Sequence, residues 1–158
     1  MVVIAPAVEA DVPAIHALIR ALADYERLSH EVVSTEADLH TGLFGPRPYA
    51  EVLLAKADDR TVGFALFFHN YSTFLGRPGI YLEDLFVLPS WRGQGIGRDL
   101  LAALARLTIE RRCGRLEWSV LDWNEPAIGF YRRMGARVMD EWRICRLTGE
   151  ALVTAAQS

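Results

Sequence analysis

A glycine-rich turn at residues 92–98 gathers the residue types most suited to binding chemistry. Gly93, Gly95 and Gly97 stand at alternate positions, with Arg92 and Arg98 on either side. Glycine permits backbone conformations that a Cβ atom forbids, and it lets backbone approach a ligand closely. Free N–H groups of the turn and of the following helix then favour an anion such as pyrophosphate. The spacing is neither the dinucleotide pattern G-x-G-x-x-G nor a P-loop, so a tight turn without a ligand stays an alternative.

Two adjacent carboxylates, Glu83 and Asp84, interrupt an apolar run just before this turn. Neighbouring residues of a strand point to opposite faces, so we expect at least one carboxylate to be poorly solvated. A carboxylate in an apolar place tends to have a raised pKa and can act as a general base. Glu83 is the preferred candidate. The alternative for both residues is a paired or hydrogen-bonded carboxylate with a structural role, and this alternative is stronger for Asp84.

A phenol and an amide follow on a predicted helix that begins near residue 124. Tyr131 falls on its apolar stripe, where a buried phenol needs a hydrogen-bond partner and can donate a proton to a nearby anion. Asn124 is a good N-cap, with Pro126 in the first turn, and its side chain could also face a ligand. A core tyrosine and a simple helix cap are the alternatives.

Metal and nucleophile patterns are missing from the chain. The four histidines share no metal-ligand spacing, and Cys113 and Cys145 form no C-x-x-C pair. No motif of a Ser or Cys nucleophile is present. We therefore expect no metal and no covalent intermediate on the enzyme, and we expect reduced thiols in a cytoplasmic protein.

The composition is that of a globular chain. Its 158 residues are 51% hydrophobic and 23% charged, which fits a single domain over residues 1–158. A net charge of −3 favours a cationic small molecule over a nucleic acid as partner. We see no signal peptide and no apolar run long enough for a bilayer, so no membrane partner is expected.

The pattern of elements predicts an α/β fold. Strands are predicted at residues 2–5, 51–57, 61–68, 80–88 and 116–121, with a loop at residues 70–78, and residues 137–147 are predicted as a final strand or a pair of strands. Helices are predicted after Asp11, after Thr35, after the glycine turn and after Asn124, and the tail from residue 148 is a short helix or frayed. This alternation gives a mixed sheet with helices on both faces. It sets the glycine turn at the carboxyl end of a central strand, where open α/β sheets place ligands.

Three segments resemble the GNAT acetyltransferases, and within them the spermidine/spermine N1-acetyltransferase and thialysine (diamine) acetyltransferase family. They are Y-L-E-D-L-F-V at residues 81–87, R-G-Q-G-I-G at residues 92–97 and W-N-E-P-A-I-G-F-Y-R-R-M-G-A at residues 123–136. A-D-Y-E-R at residues 23–27 is also similar. The resemblance implies the GNAT fold, with a splayed strand pair that holds CoA, and a homodimer.

The resemblance also implies roles for single residues. The acetyl-CoA contacts would come from Leu85, Phe86, Val87, Arg92, Gly93, Gln94, Gly95, Ile96, Gly97, Arg98, Asn124, Glu125, Pro126, Ala127 and Tyr131. The amine substrate would lie against Tyr25, Glu26, Glu83, Glu117, Trp118 and Ser119. Tyr131 would protonate the departing CoA thiolate, and Glu83, through water, would take the proton of the substrate ammonium.

The implied reaction is the transfer of an acetyl group from acetyl-CoA to a primary amine of a small polyamine or diamine. The same chemistry on thialysine, a lysine-like amino acid, an aminoglycoside or a peptide amine is an alternative. Several carboxylates in the site would favour a polycation, whereas a basic residue for an α-carboxylate would favour an amino acid. A non-catalytic acetyl-CoA sensor is an alternative of another class.

Overall fold

Five strands form one sheet in the computed structural model, which describes residues 1–158. They are β1 (Val2–Pro6), β2 (Glu51–Ala57), β3 (Arg60–Ser72), β4 (Arg77–Val87) and β5 (Leu116–Trp118), and their spatial order follows the chain. The first four strands pair antiparallel and β5 joins β4 in parallel. The sheet is therefore mixed, as predicted.

Residues Met1–Ser119 and Val120–Ser158 form two compact units. The first contains the sheet with the helices α1 (Val12–Tyr25), α2 (Glu36–Phe44) and α3 (Ile96–Glu110), and the second contains α4 (Glu125–Arg133) and α5 (Gly149–Ala156). No helix is both long enough and apolar enough to cross a bilayer. The single domain over the whole chain stays a prediction.

Helices lie on both faces of the sheet, which confirms the predicted α/β architecture. On one face, α1 and α2 pack against the sheet around one apolar cluster, made of Ile15, Leu18, Leu43, Val52, Leu54, Phe64 and Phe86, with Leu66 at its margin. On the other face, Leu100 of α3 lies over Gly63, where an added Cβ atom would come 3.5 Å from its Cδ1. Strand residues alternate between the faces, so each side of β3 and β4 meets a different helix.

A β-bulge interrupts the ladder between β3 and β4. Leu66 lies opposite Asp84 and Phe67 lies opposite Leu82, so Glu83 has no partner across the strands. The extra residue moves Leu82 and Asp84 to opposite faces. Leu82 is 2% exposed and pairs with Phe67 at 1%, whereas Asp84 shares the face of Leu66. The sequence pattern did not reveal this bulge.

The parallel contact of β4 with β5 is short. It joins residues 80–82 to residues 116–118, whereas β4 continues to Val87. The last five residues of β4 therefore have β3 on one side only. This is the arrangement expected of a strand pair that separates, and it occurs directly before the glycine turn.

Three sequence predictions of element bounds were wrong. Residues 70–78 are no loop, because β3 and β4 extend to Ser72 and from Arg77 around a short turn. The strand predicted over residues 116–121 ends at Trp118. Residues 137–147 form no strand, because a strand requires a pairing partner and every ladder of this chain joins residues between Val2 and Trp118.

Candidate active site

The glycine turn is built from backbone conformations that other residues adopt at a cost. Gly93 and Gly95 have φ angles of 77° and 83°, and Gly95 is the left-handed N-cap of α3. A Cβ atom at either position would meet nothing within 4 Å, so backbone conformation and not crowding requires glycine. The first N–H groups of the 15-residue helix α3 have no acceptor within the helix. The turn thus fits an anion.

Arg92 extends from this turn towards the end of α1. Its Nε donates to the carbonyl oxygen of Val87 at 3.0 Å. Its guanidinium carbon lies 4.6 Å from the ring centroid of Tyr25 and 5.2 Å from that of Phe86. The rings of Tyr25 and Phe86 are 6.4 Å apart. The side chain therefore joins the turn to the predicted substrate residue Tyr25, which sequence reasoning did not anticipate.

Asp84 carries the largest change of pKa among the site carboxyls. Burial, with the nearby charges of Glu83 and Glu26, raises the pKa of Asp84 to about 7. Burial also raises the pKa of Glu26, which follows the last residue of α1. Because the charges of Glu26 and Glu83 both act on the carboxyl of Asp84, we treat these three carboxyl groups as one cluster. Glu83 itself is exposed.

The predicted residues of β5 divide between the two faces. The hydroxyl groups of Tyr81 and Ser119 are 2.8 Å apart. Glu117 lies opposite Tyr81 in the parallel ladder and accepts a bond of 3.5 Å from Asn70. Trp118 lies beside Leu82, on the other face. Glu117 and Ser119 thus share the face of Tyr81, while Trp118 does not.

The second unit holds the other predicted cofactor residues at the start of α4. The side-chain oxygen of Asn124 accepts from the N–H of Ala127 at 3.3 Å, which confirms the predicted N-cap. Glu125 and Pro126 are exposed in the first turn. Tyr131 is half-buried, with its ring 5.4 Å from that of Phe130. No group of three or more His, Cys, Asp or Glu side chains in the chain could hold a metal ion.

Comparison with known proteins decides the family. A model of the acetyltransferase (GNAT) family matches residues 15–136, which is most of the chain. The chain belongs to the GNAT acetyltransferase family. GNAT acetyltransferases use acetyl-CoA.

Curated relatives of this GNAT acetyltransferase act on amines. The chain is 40% identical to the thialysine N-epsilon-acetyltransferase of Bos taurus, over 96% of this chain and 95% of the relative. It is 38% identical to an L-ornithine N5-acetyltransferase of Arabidopsis thaliana, over 90% of this chain and 82% of the relative. These matches confirm the predicted resemblance and an acetyltransferase enzyme.

Solved structures confirm the fold. An integron cassette protein from the mobile metagenome of V. cholerae superposes with a TM-score of 0.82 at 28% identity, covering 99% of this chain and 98% of that one. The α/β architecture of this GNAT acetyltransferase therefore recurs over the full length of another chain.

Proposed function

We propose that this enzyme transfers the acetyl group of acetyl-CoA to the terminal primary amine of a small cationic acceptor by direct attack. The observation that carries the proposal is a group of three carboxylates: Glu83 and Asp84 lie on β4, which leads into the glycine turn, and Glu26 at the end of α1 is electrostatically coupled to Asp84. Carboxylates attract an ammonium group, and the turn attracts a pyrophosphate. The carboxylates would thus bind the amine acceptor, and the turn would bind acetyl-CoA.

Acetyl-CoA fits the residues that the sequence assigns to it. The glycine turn would take the pyrophosphate, and residues 85–87 have backbone groups without a β5 partner that the pantetheine arm can pair with. We assign Asn124, Glu125, Pro126 and Ala127, at the start of α4, to the same cosubstrate on the family resemblance. Phe86 is only 5% exposed, so its contribution comes from its backbone.

Direct transfer sets two requirements for the chain. An ammonium group cannot attack a thioester until it loses a proton, so a carboxylate must accept one. The departing thiolate gains from an acid, and Tyr131 is the residue we assign to that part. Positioning of the amine and the thioester together supplies much of the remaining rate. No nucleophile of the enzyme is required.

The acceptor we favour is an amino acid with a side-chain amine, of the ornithine or thialysine type. The two curated relatives act on such compounds by name. In this site Arg92, whose guanidinium lies over Tyr25, offers a cation for an α-carboxylate. A polyamine or diamine is the second candidate, because Glu26, Glu83 and Asp84 suit a chain with more than one ammonium group.

The test is release of the CoA thiol from acetyl-CoA with a panel of acceptors. The panel contains ornithine, thialysine, lysine, putrescine, spermidine, an aminoglycoside and a peptide amine. We expect the highest kcat/KM with ornithine or thialysine, and at least tenfold less with putrescine, which lacks only the α-carboxylate of ornithine. Higher kcat/KM for spermidine than for every amino acid would establish the polyamine reading instead. Failure to turn over any amine while acetyl-CoA binds would overturn the proposal.

We also propose that the enzyme forms a homodimer. In the second unit, apolar side chains from Met139 to Val153 are exposed, with Trp142 at 75% and Ile144 at 74%. A second copy of the chain is the partner that is always present to cover them.

A further inference from the structure

We infer that Asp84, and not its neighbour Glu83, is the general base that takes the proton of the acceptor ammonium. The inference rests on the proposed amine acetylation and deepens it. The family resemblance favoured Glu83. The bulge in β4 decides which of the two adjacent carboxylates shares the face of Leu66.

The bulge decides which carboxylate lies against the helices. Asp84 pairs with Leu66 and stands two residues from Phe86, and both of these apolar residues belong to the face that packs against α1. Glu83 is the unpaired residue of the bulge and is exposed to solvent. The carboxyl group of Asp84 is therefore the one held at the apolar wall of the site.

Asp84 has no cation of its own. Its carboxyl group makes no hydrogen bond and no ion pair within the chain. The charged and titratable groups around it are Glu83 on β4, Glu26 and Tyr25 at the end of α1, and Arg92, whose guanidinium lies over the rings of Tyr25 and Phe86. A poorly solvated carboxylate beside two others is costly to leave uncompensated, and an arriving ammonium group compensates it.

The pKa of Asp84 suits the role of a general base. Burial first, and then the charges of Glu83 and Glu26, raise the pKa of Asp84 to about 7. A general base works best with a pKa near the working pH, because it is then both free to accept a proton and basic enough to hold it.

The proposed step balances as follows. The carboxylate of Asp84 takes one proton from the acceptor ammonium and later returns it to solvent, and the lone pair of the freed amine forms a C–N bond with the thioester carbonyl carbon. When the C–S bond breaks, its electron pair leaves with the CoA sulfur. The nitrogen loses its second proton, and the thiolate gains one from Tyr131, which is then reprotonated. The products are the amide, the CoA thiol and one released proton.

The experiment compares pH profiles of kcat/KM for the native enzyme, Asp84→Asn and the matched control Glu83→Gln, with the best acceptor of the panel. We expect a native profile that rises to pH 7 and then levels. Asp84→Asn should lose this inflection and be at least about a hundredfold slower at pH 7. Its deficit should shrink towards pH 10, where the amine loses its proton without help. Glu83→Gln should keep an inflection but move it to lower pH, because the charge of Glu83 also raises the pKa of Asp84.

If Asp84 bound the acceptor ammonium without accepting its proton, the kinetics would differ from those expected of a general base. The KM of Asp84→Asn would then be raised at pH 7 and above while kcat stayed at the native value, and this outcome would overturn the inference. A profile that keeps its inflection in Asp84→Asn but loses it in Glu83→Gln would overturn it as well. Native turnover separates these failures from failure of the proposed function, in which no amine reacts at all.

A second variant keeps the inference testable if Asp84→Asn does not fold, which acetyl-CoA binding by calorimetry would reveal. Glu26→Gln removes a negative charge that raises the pKa of Asp84. If Asp84 is the base, the inflection should move to lower pH in Glu26→Gln. An inflection that stays in place would contradict the assignment.

Discussion

At the scale of single residues, the phenol of Tyr131 carries a prediction that separates chemistry from binding. Tyr131→Phe removes one hydroxyl group and keeps the ring that lies 5.4 Å from Phe130. We expect kcat to fall by about a hundredfold, the low end of what general acids contribute. The Kd of acetyl-CoA should change less than threefold.

The control for Tyr131→Phe is Tyr71→Phe, which removes the same hydroxyl group from a tyrosine elsewhere in the chain. Tyr71 is 65% exposed on β3. We expect its kcat to match that of the native enzyme. Equal turnover of Tyr131→Phe and the native enzyme would remove the proton-donor role from Tyr131.

The half-buried carboxyl of Asp84 has a consequence for stability as well as for catalysis. Because its pKa is raised from 3.8 to about 7, the folded protein holds this proton more tightly than the unfolded chain does. Its contribution to stability is thus fully present below about pH 4 and is lost as pH rises through about 7. At about 1.4 kcal/mol for each pH unit, the loss is at most about 4 kcal/mol.

Asp84→Asn should therefore stabilise the protein at pH 8 relative to pH 4.5, because asparagine never ionises. The measurement is the urea midpoint of unfolding for the variant and the native protein at both pH values. Glu83→Gln is the comparison: it removes one of the charges that raise the pKa of Asp84 but leaves the carboxyl group of Asp84 in place, so its gain at pH 8 should be smaller. If the urea midpoints of Asp84→Asn and the native protein differed by the same amount at both pH values, Asp84 would be well solvated.

At the scale of elements, the sequence correctly predicted helix caps, which depend on residues close together in the chain. The capping box of Thr35 and Asp38 forms as expected, with Asp38 N–H donating to the Thr35 hydroxyl at 3.2 Å. Asn124 caps α4, and Gly95 opens α3. Each depends on residues within a few positions of one another, which a sequence displays directly.

Features that depend on a distant strand were not predictable. The bulge at Glu83 arises from the pairing of β4 with Leu66 and Phe67 on β3, and nothing within residues 80–88 marks it. The same limit explains residues 137–147, where apolar residues are interspersed with polar ones but no ladder forms. Alternation shows that a segment could pair, while the partner decides whether it does.

The glycine turn supports a prediction about backbone conformation with a matched control. Gly95→Ala and Gly76→Ala both put a Cβ atom at a positive φ, 83° and 63°, and in both places the Cβ meets nothing within 4 Å. Each should cost about 1–2 kcal/mol of stability. Only Gly95→Ala should weaken acetyl-CoA binding, by at least tenfold, because only Gly95 orients the N–H groups that open α3.

Calorimetric titration with acetyl-CoA measures this difference, and a urea midpoint confirms the equal cost in stability. If the two alanine variants bound acetyl-CoA equally well, the backbone of the turn would have no part in holding the pyrophosphate.

At the scale of the whole molecule, the exposed apolar side chains of the second unit remain to be covered. They are Met139, Trp142, Ile144, Leu147, Leu152 and Val153, each between 38% and 75% exposed. Side chains of this size seldom lie together at a free surface, whereas a segment that could form a strand readily pairs with a second copy. Two copies related by a two-fold axis would each supply the same segment, so both would be covered at once.

We therefore expect a mass of about 35 kDa, twice the 17.7 kDa of one chain, when light scattering follows gel filtration at micromolar concentration. The double variant Trp142→Ser and Ile144→Ser should elute as a monomer, because it removes the two most exposed members of this group. Phe74→Ser is the control, since Phe74 is 98% exposed on the first unit at the turn between β3 and β4 and should leave the dimer intact. A native mass of one chain, or a dimer that survives the double variant, would contradict this account of residues 139–153.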